Sequence, residues 1–396
     1  MKKLLSILMC LMLLCSVAAA ETTLSGGETR NIQIHPAGVN TPIDGVSPTT
    51  GRLLADVAEN AQDGFTGMAV TGRYMPILMQ IDNTDGGIGY NDGKATGYRA
   101  PWGAQYADVI YEAPLYKAGD TRLTFLFSDL MPTAAGPCRS ARLFHAWLRE
   151  EYDGALIHYG QQELAGTNVV EAFKETGANK KANGMLLFNG TDGMGKSHPW
   201  KQYFSPYTLK NGAALTPPHH QSANVAAMST LIPADYQAAN HTWLFTDELP
   251  AEGDSAEMIH VNWSTGDNSV YNSILEWDED NACYYRYMTD AKGNPQLYSS
   301  LNDVDPAEPI TFSNVIVQFT EMDWVKTNQP KPTVLGTGNA DYFMGGKHIA
   351  GVWGRDSLSD RTVFYGPDGN EIELQRGRTL IIVMDYQFDY RSVSFE

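Results

Sequence analysis

Short runs of apolar, β-branched and aromatic residues recur along this chain, and Gly, Pro, Asn and Asp separate them. Runs this short cannot hold a helix by themselves, but they suit strands that gain stability from neighbours. Such strands interleave with helical segments in the first half and dominate the second. In the first half, strands are predicted over 76–82, 107–112, 123–127, 155–159 and 185–188. One segment differs: Ser140 to Glu151 carries apolar residues at helical spacing, follows Gly136-Pro137 and is closed by Gly154. Shorter helices are predicted over 169–176 and 223–231. In the second half only strands are predicted, over 259–263, 273–277, 283–287, 315–319, 362–365, 371–374 and 380–383. Pro367-Asp368-Gly369 sits where a hairpin turn would need a positive φ. The fold class expected is α+β (mixed α/β): an N-terminal mixed sheet with helices over 47–249, and a β-rich C-terminal part over 250–396.

Residues 1–20 read as a secretory signal peptide, with Lys2 and Lys3 before an apolar run and Ala18-Ala19-Ala20 before Glu21. Residues 21–46 lack a sustained period and read as a flexible leader. No later stretch is long and apolar enough to span a bilayer, so no transmembrane segment is expected in the mature chain. The expected location is secreted or cell-envelope associated. Cys10 and Cys15 follow Met9 and Leu14, neither of which suits a lipid-attachment site, so a lipid anchor is not expected. Cys138 and Cys283 remain after cleavage, and either a disulfide or two buried thiols is compatible with their spacing. The 396 residues carry 28 Lys and Arg against 46 Asp and Glu, a formal charge of −18 that opposes general affinity for nucleic acid.

The densest polar cluster is Arg139-Ser140-Ala141-Arg142, where a helix is predicted to begin and two arginines would share a face. Asp82, Asn83 and Glu112 end neighbouring predicted strands, the usual rim for a ligand in such a sheet, and Arg122 and His158 complete the candidate set. The alternative is an internal charge network of Arg122, Arg139 and Arg142 with Asp82, Asp108 and Glu112. Gly190 to Ser197 matches the phosphate-loop pattern, but Pro199 and Pro206 leave no room for the helix such a loop must open, so no nucleotide is expected. The histidines lack metal-ligand spacing, and no cofactor motif is present; neither metal nor cofactor is expected.

Several stretches taken in order resemble the YerB-like family of bacterial envelope lipoproteins. They are Ser47-Pro48-Thr49-Thr50-Gly51, Pro76 to Asn83, Ala107 to Ala113, Thr121-Arg122 and Gly136 to Arg142. Tyr284-Tyr285-Arg286, Asn314 to Phe319, Gly351-Val352-Trp353 and Gly369 to Ile372 continue the series in the second half. Pro218-His219-His220 stands where the family commonly has Pro-His-Asn. The resemblance implies an extracytoplasmic compartment and a two-part architecture, and no reaction. The expected function is binding of an anionic envelope polymer, or of an envelope protein, through the region of Arg139 and Arg142. The alternative is a cell-wall hydrolase or transferase using Asp82 or Glu112 as acid and base.

Overall fold

The computed structural model describes residues 21–83, 100–191, 198–208, 212, 215, 217–265, 270–289, 294–300, 307–324 and 329–396. The signal-peptide segment and most of the phosphate-loop-like stretch lie outside them. The first half supplies α1 (Leu54–Ala58), α2 (Met68–Thr71), β1 (Ile77–Asp82), β2 (Val109–Pro114), β3 (Thr121–Phe127), α3 (Leu143–Tyr152), β4 (Ala155–His158), α4 (Val169–Glu175), β5 (Leu187–Asn189) and α5 (Val225–Ser229). The second half supplies β6 (Met258–Asn262), β7 (Ser273–Asp278), β8 (Cys283–Thr289), β9 (Asn314–Phe319), β10 (Gly336–Met344), β11 (Lys347–Arg355), β12 (Thr379–Met384) and β13 (Ser392–Phe395). The fold is strand-rich with few helices, an α+β arrangement, and among the described residues every helix precedes residue 230.

A central mixed sheet runs β11-β10-β9-β12-β2-β3-β1-β4-β5, with short strands 254–255 and 363–365 against β11. It is continuous across residue 250, because β12 lies parallel to both β9 and β2 and joins strands from the two halves. A second, antiparallel sheet contains β13-β6-β7-β8, with 22–23 at the β13 edge.

Period-two alternation divides the core between two faces of the central sheet. Ile77, Met79, Ile81, Phe125 and Ile382 face the second sheet and pack with Ile259, Val261, Leu275 and Tyr284. Leu78, Leu126, Leu156 and Ile381 face the other way and pack with Leu143, Phe144 and Leu148 of α3 and Phe173 of α4. The result is three layers: sheet, sheet and helices.

Three features depart from expectation. Residues 21–46 are held along the body rather than forming a free leader: Thr22–Thr23 pairs with β13, and Arg30 makes two bonds, 2.8 and 2.9 Å, to Asp341. Asp341 is fully buried, and its charge requires a cation there. The longest hairpin, β10–β11, was not predicted, because Gly336, Gly338, Gly351 and Gly354 interrupt its apolar pattern. Its turn had a signal in Gly345-Gly346, which adopt φ of 61° and 67°. The Pro367-Asp368-Gly369 hairpin forms, with Gly369 at φ 79° and Tyr365 bridging Glu371 in antiparallel fashion, but residues 373–375 then leave it to pair in parallel with 244–246. Of the two arrangements open to the cysteines, Cys138 and Cys283 adopt that of separate buried thiols.

Candidate functional site

The end of β1 meets the start of β3, so Asp82 stands opposite Arg122 in the strand register. The segment before α3 is laid beside β1: the Asp82 amide donates to Pro137 O at 2.9 Å and the Arg139 amide to Gln80 O at 2.9 Å. The Tyr159 amide in turn donates to Arg139 O at 2.9 Å. Arg139 is therefore in an extended segment and not on the helix, whose N-cap is Arg142. Sheet-like pairing, which spacing did not reveal, brings the two arginines together.

Asp82 is 1% exposed and binds two partners through Oδ2, the Arg139 Nε at 3.1 Å and the His219 Nδ1. Burial acts to raise its pKa, but the His219 hydrogen bond and the Arg122 and Arg139 charges outweigh that and hold the carboxyl below its ordinary range. Arg122 is also buried; its Nη1 donates to Ser140 O at 3.0 Å, and its Nε has no hydrogen-bond partner among the described residues. Arg142 Nη1 reaches the same oxygen at 3.4 Å and Ala141 O at 3.2 Å. Two guanidinium groups thus converge on one carbonyl oxygen. Burial and the neighbouring Arg142 bring the Arg122 pKa down to about 9. Burial lowers that of Arg142 as well, against the pull of the Tyr116 hydroxyl.

His145 closes the inner side. Its Nδ1 accepts from the Arg142 amide at 2.9 Å, and burial together with Arg122 and Arg142 holds its pKa well below the usual imidazole value, so the ring is neutral. The cluster reaches solvent through Arg139 and His219, whose side chains are 23% and 15% exposed. Its guanidinium donors suit an oxyanion such as phosphate or carboxylate. Among the described residues no His, Cys, Asp and Glu cluster suits a metal ion.

The other predicted residues divide. Ser140 belongs to the cluster through its carbonyl, while its hydroxyl donates to Tyr159 O at 3.0 Å. His158 is fully buried beneath α4, with Nδ1 2.8 Å from Gly160 O and its ring 6.2 Å from that of Phe173. Glu112 and Asn83 are not part of the arginine cluster. Alternation along β1 and β2 turns them toward the second sheet, where Glu112 accepts from Asn83 at 3.0 Å and Thr121 at 2.8 Å and is paired with Arg286. Asp82 and Glu112 therefore lie on opposite faces of the sheet, and both are sealed from solvent. They form no common acid–base cleft. His219 was missing from the predicted set, although Pro218-His219-His220 marked its position; Pro218 O also accepts from Arg139 Nη1 at 3.4 Å.

Fold and site together define an α+β protein with a sheet-on-sheet core and an arginine-rich cluster at the edge of its helical layer. The chain belongs to the YerB-like family: the DUF3048 N-terminal domain, a protein of unknown function, matches residues 90–217, and the DUF3048 C-terminal domain matches 259–381. The crystal structure of YerB protein from Bacillus subtilis is similar to it, with a TM-score of 0.58 at 20% identity over 88% of this chain and 99% of that one. At that identity the likeness concerns the fold. No curated protein matches the chain. Among the described residues no helix is long and apolar enough to cross a membrane.

Proposed function

We propose that this protein is exported, resides at the cell envelope and binds an anionic group of an envelope polymer through Arg122, Arg139, Arg142 and His219. The observation that carries this reading is the convergence of Arg122 and Arg142 on the single Ser140 carbonyl, while the carboxylate of the cluster, Asp82, is engaged by Arg139 and His219. Buried like charges of this kind are unfavourable until a counter-ion joins them. The apolar segment at residues 4–14 behind two lysines supports the envelope location. Nothing supports the hydrolase alternative built on Asp82 and Glu112, since each is buried on its own face.

The test is co-sedimentation of the purified protein with isolated cell-wall material at low and high salt, beside Arg139→Ala/Arg142→Ala. These two positions are chosen because neither lies within the apolar core. Binding that weakens with salt and is lost in the double variant, whose circular dichroism matches the wild type, is the expected result. Equal sedimentation of both proteins would remove the arginine site, and no sedimentation of the wild type would turn the search to a protein partner.

A further inference from the structure

A cavity lies at the other end of β3 from the arginine cluster. Arg122 is the second residue of that strand and Ser128-Asp129 follow its end, so the two places are about 20 Å apart at roughly 3.3 Å per residue. The cavity measures about 600 Å³, within the usual size of small-molecule sites, and is walled by both halves of the chain.

Its floor contains two buried carboxyl groups, Asp108 and Asp129, with the Ser128 hydroxyl 2.9 Å from Asp108 Oδ2 and 3.3 Å from Asp129 Oδ1. The hydrogen bonds that hold them come from neutral groups. Asp108 Oδ2 accepts from the Ser128 and Asp129 amides at 2.6 and 3.0 Å, and Asp129 accepts from Ser47 Oγ at 2.7 Å and Thr50 Oγ1 at 2.8 Å. Arg378, buried nearby, donates instead to the carbonyls of Ala107, Thr311 and Gln105. Burial and the adjacent Asp129 raise the Asp108 pKa well above the ordinary carboxyl range, and burial raises that of Asp129.

One buried polar group at this cavity is left unused: the Gln105 Nε2 has no hydrogen-bond partner among the described residues. Beside it, Asp108 is 5% exposed and takes its bonds from Ser128 and Asp129 through Oδ2. Charge selects the ligand class. Arg52, Arg376 and Arg378 on the wall are matched in number by Asp108, Asp129 and Glu308. No net charge remains to favour an ion. Asn60, Gln62, Thr311 and Ser313 add amides and hydroxyls to the wall, and Tyr106 adds a ring.

We propose that this cavity binds a neutral, hydroxyl-rich ligand, a sugar of one or two rings, with the Asp108 carboxyl and the Gln105 amide as its recognition groups. The site is separate from the arginine cluster and does not depend on the function proposed for it.

Saturation-transfer NMR on the full chain with N,N′-diacetylchitobiose tests this, with glucuronate and glucosamine as charged controls. Gln105→Met removes the unused amide while keeping the backbone carbonyl that Arg378 needs, and Asn60→Trp places bulk at an exposed position on the cavity wall. The expected result is binding of the neutral disaccharide that is about tenfold weaker in Gln105→Met, lost in Asn60→Trp and unchanged in Arg139→Ala/Arg142→Ala. Absence of a signal at the solubility limit, stronger binding of either charged sugar, or equal binding by Asn60→Trp would overturn the assignment.

Discussion

Replacing Arg286 by Met isolates the ion pair that joins the two sheets. Arg286 and Glu112 are both fully buried, and the Arg286 guanidinium lies 5.1 Å from the Tyr298 ring. Methionine keeps most of the volume and the apolar contact with Tyr298 but leaves the Glu112 charge held only by Asn83 and Thr121. Removing one partner of such a pair costs about 3–5 kcal/mol, against a total stability of about 5–15 kcal/mol for a typical protein. Glu112→Gln with Arg286→Met removes both charges, and the introduced amide carbonyl still accepts from Asn83 and Thr121. The double variant is therefore expected to lose at most about 1 kcal/mol, well below the sum of the two single losses. Urea unfolding followed by tryptophan fluorescence measures all three variants, with Trp263 buried beside the second sheet as a reporter. A loss below about 1 kcal/mol for Arg286→Met, or a double variant that equals the sum of the singles, would refute the account of Glu112 as a structural carboxylate.

Asp108 makes stability depend on pH in a defined direction. A carboxyl whose pKa is raised on folding contributes stability that is fully present below its ordinary value of 3.8 and is lost as pH rises through the folded value. Asp108→Asn removes that dependence, so its melting temperature should match the wild type near pH 4 and exceed it at about pH 8; a wild type that gains on the variant with rising pH would reverse the sign. Asp82 behaves oppositely, since its lowered pKa contributes stability above 3.8 that is lost as pH falls. Asp82→Asn is accordingly expected to destabilise by about 3–5 kcal/mol at neutral pH, and to differ little from the wild type in strong acid, by the same urea measurement. Cys138 and Cys283 should be alkylated only after unfolding, without prior reduction, as read by peptide mass spectrometry; labelling that requires a reductant would contradict the free thiols.

Much of the local structure was legible because it depends on local pattern. The strands from 76–82 to 380–383 and the helix of Ser140 to Glu151 fall close to their predicted places, since period-two and helical spacing are properties of neighbouring residues. The β10–β11 hairpin was missed because its glycines fit against other groups: a Cβ at Gly351 would lie 2.0 Å from Tyr365 O, a contact no local pattern displays. The charge and the arginine-rich stretch were likewise plain in the chain itself.

Tertiary structure alone decided which of these residues meet. Glu112 finds Arg286 across 174 positions and Asp82 finds His219 across 137. The alternation of strands sent Asp82 and Glu112 to opposite faces although both end neighbouring strands. Asp108 and Asp129 come together because β2 and β3 run antiparallel, which places the start of one beside the end of the other. Sequence pattern determined where strands and helices form; long-range pairing determined the charge environments, because burial and partnership arise only once distant segments share a face.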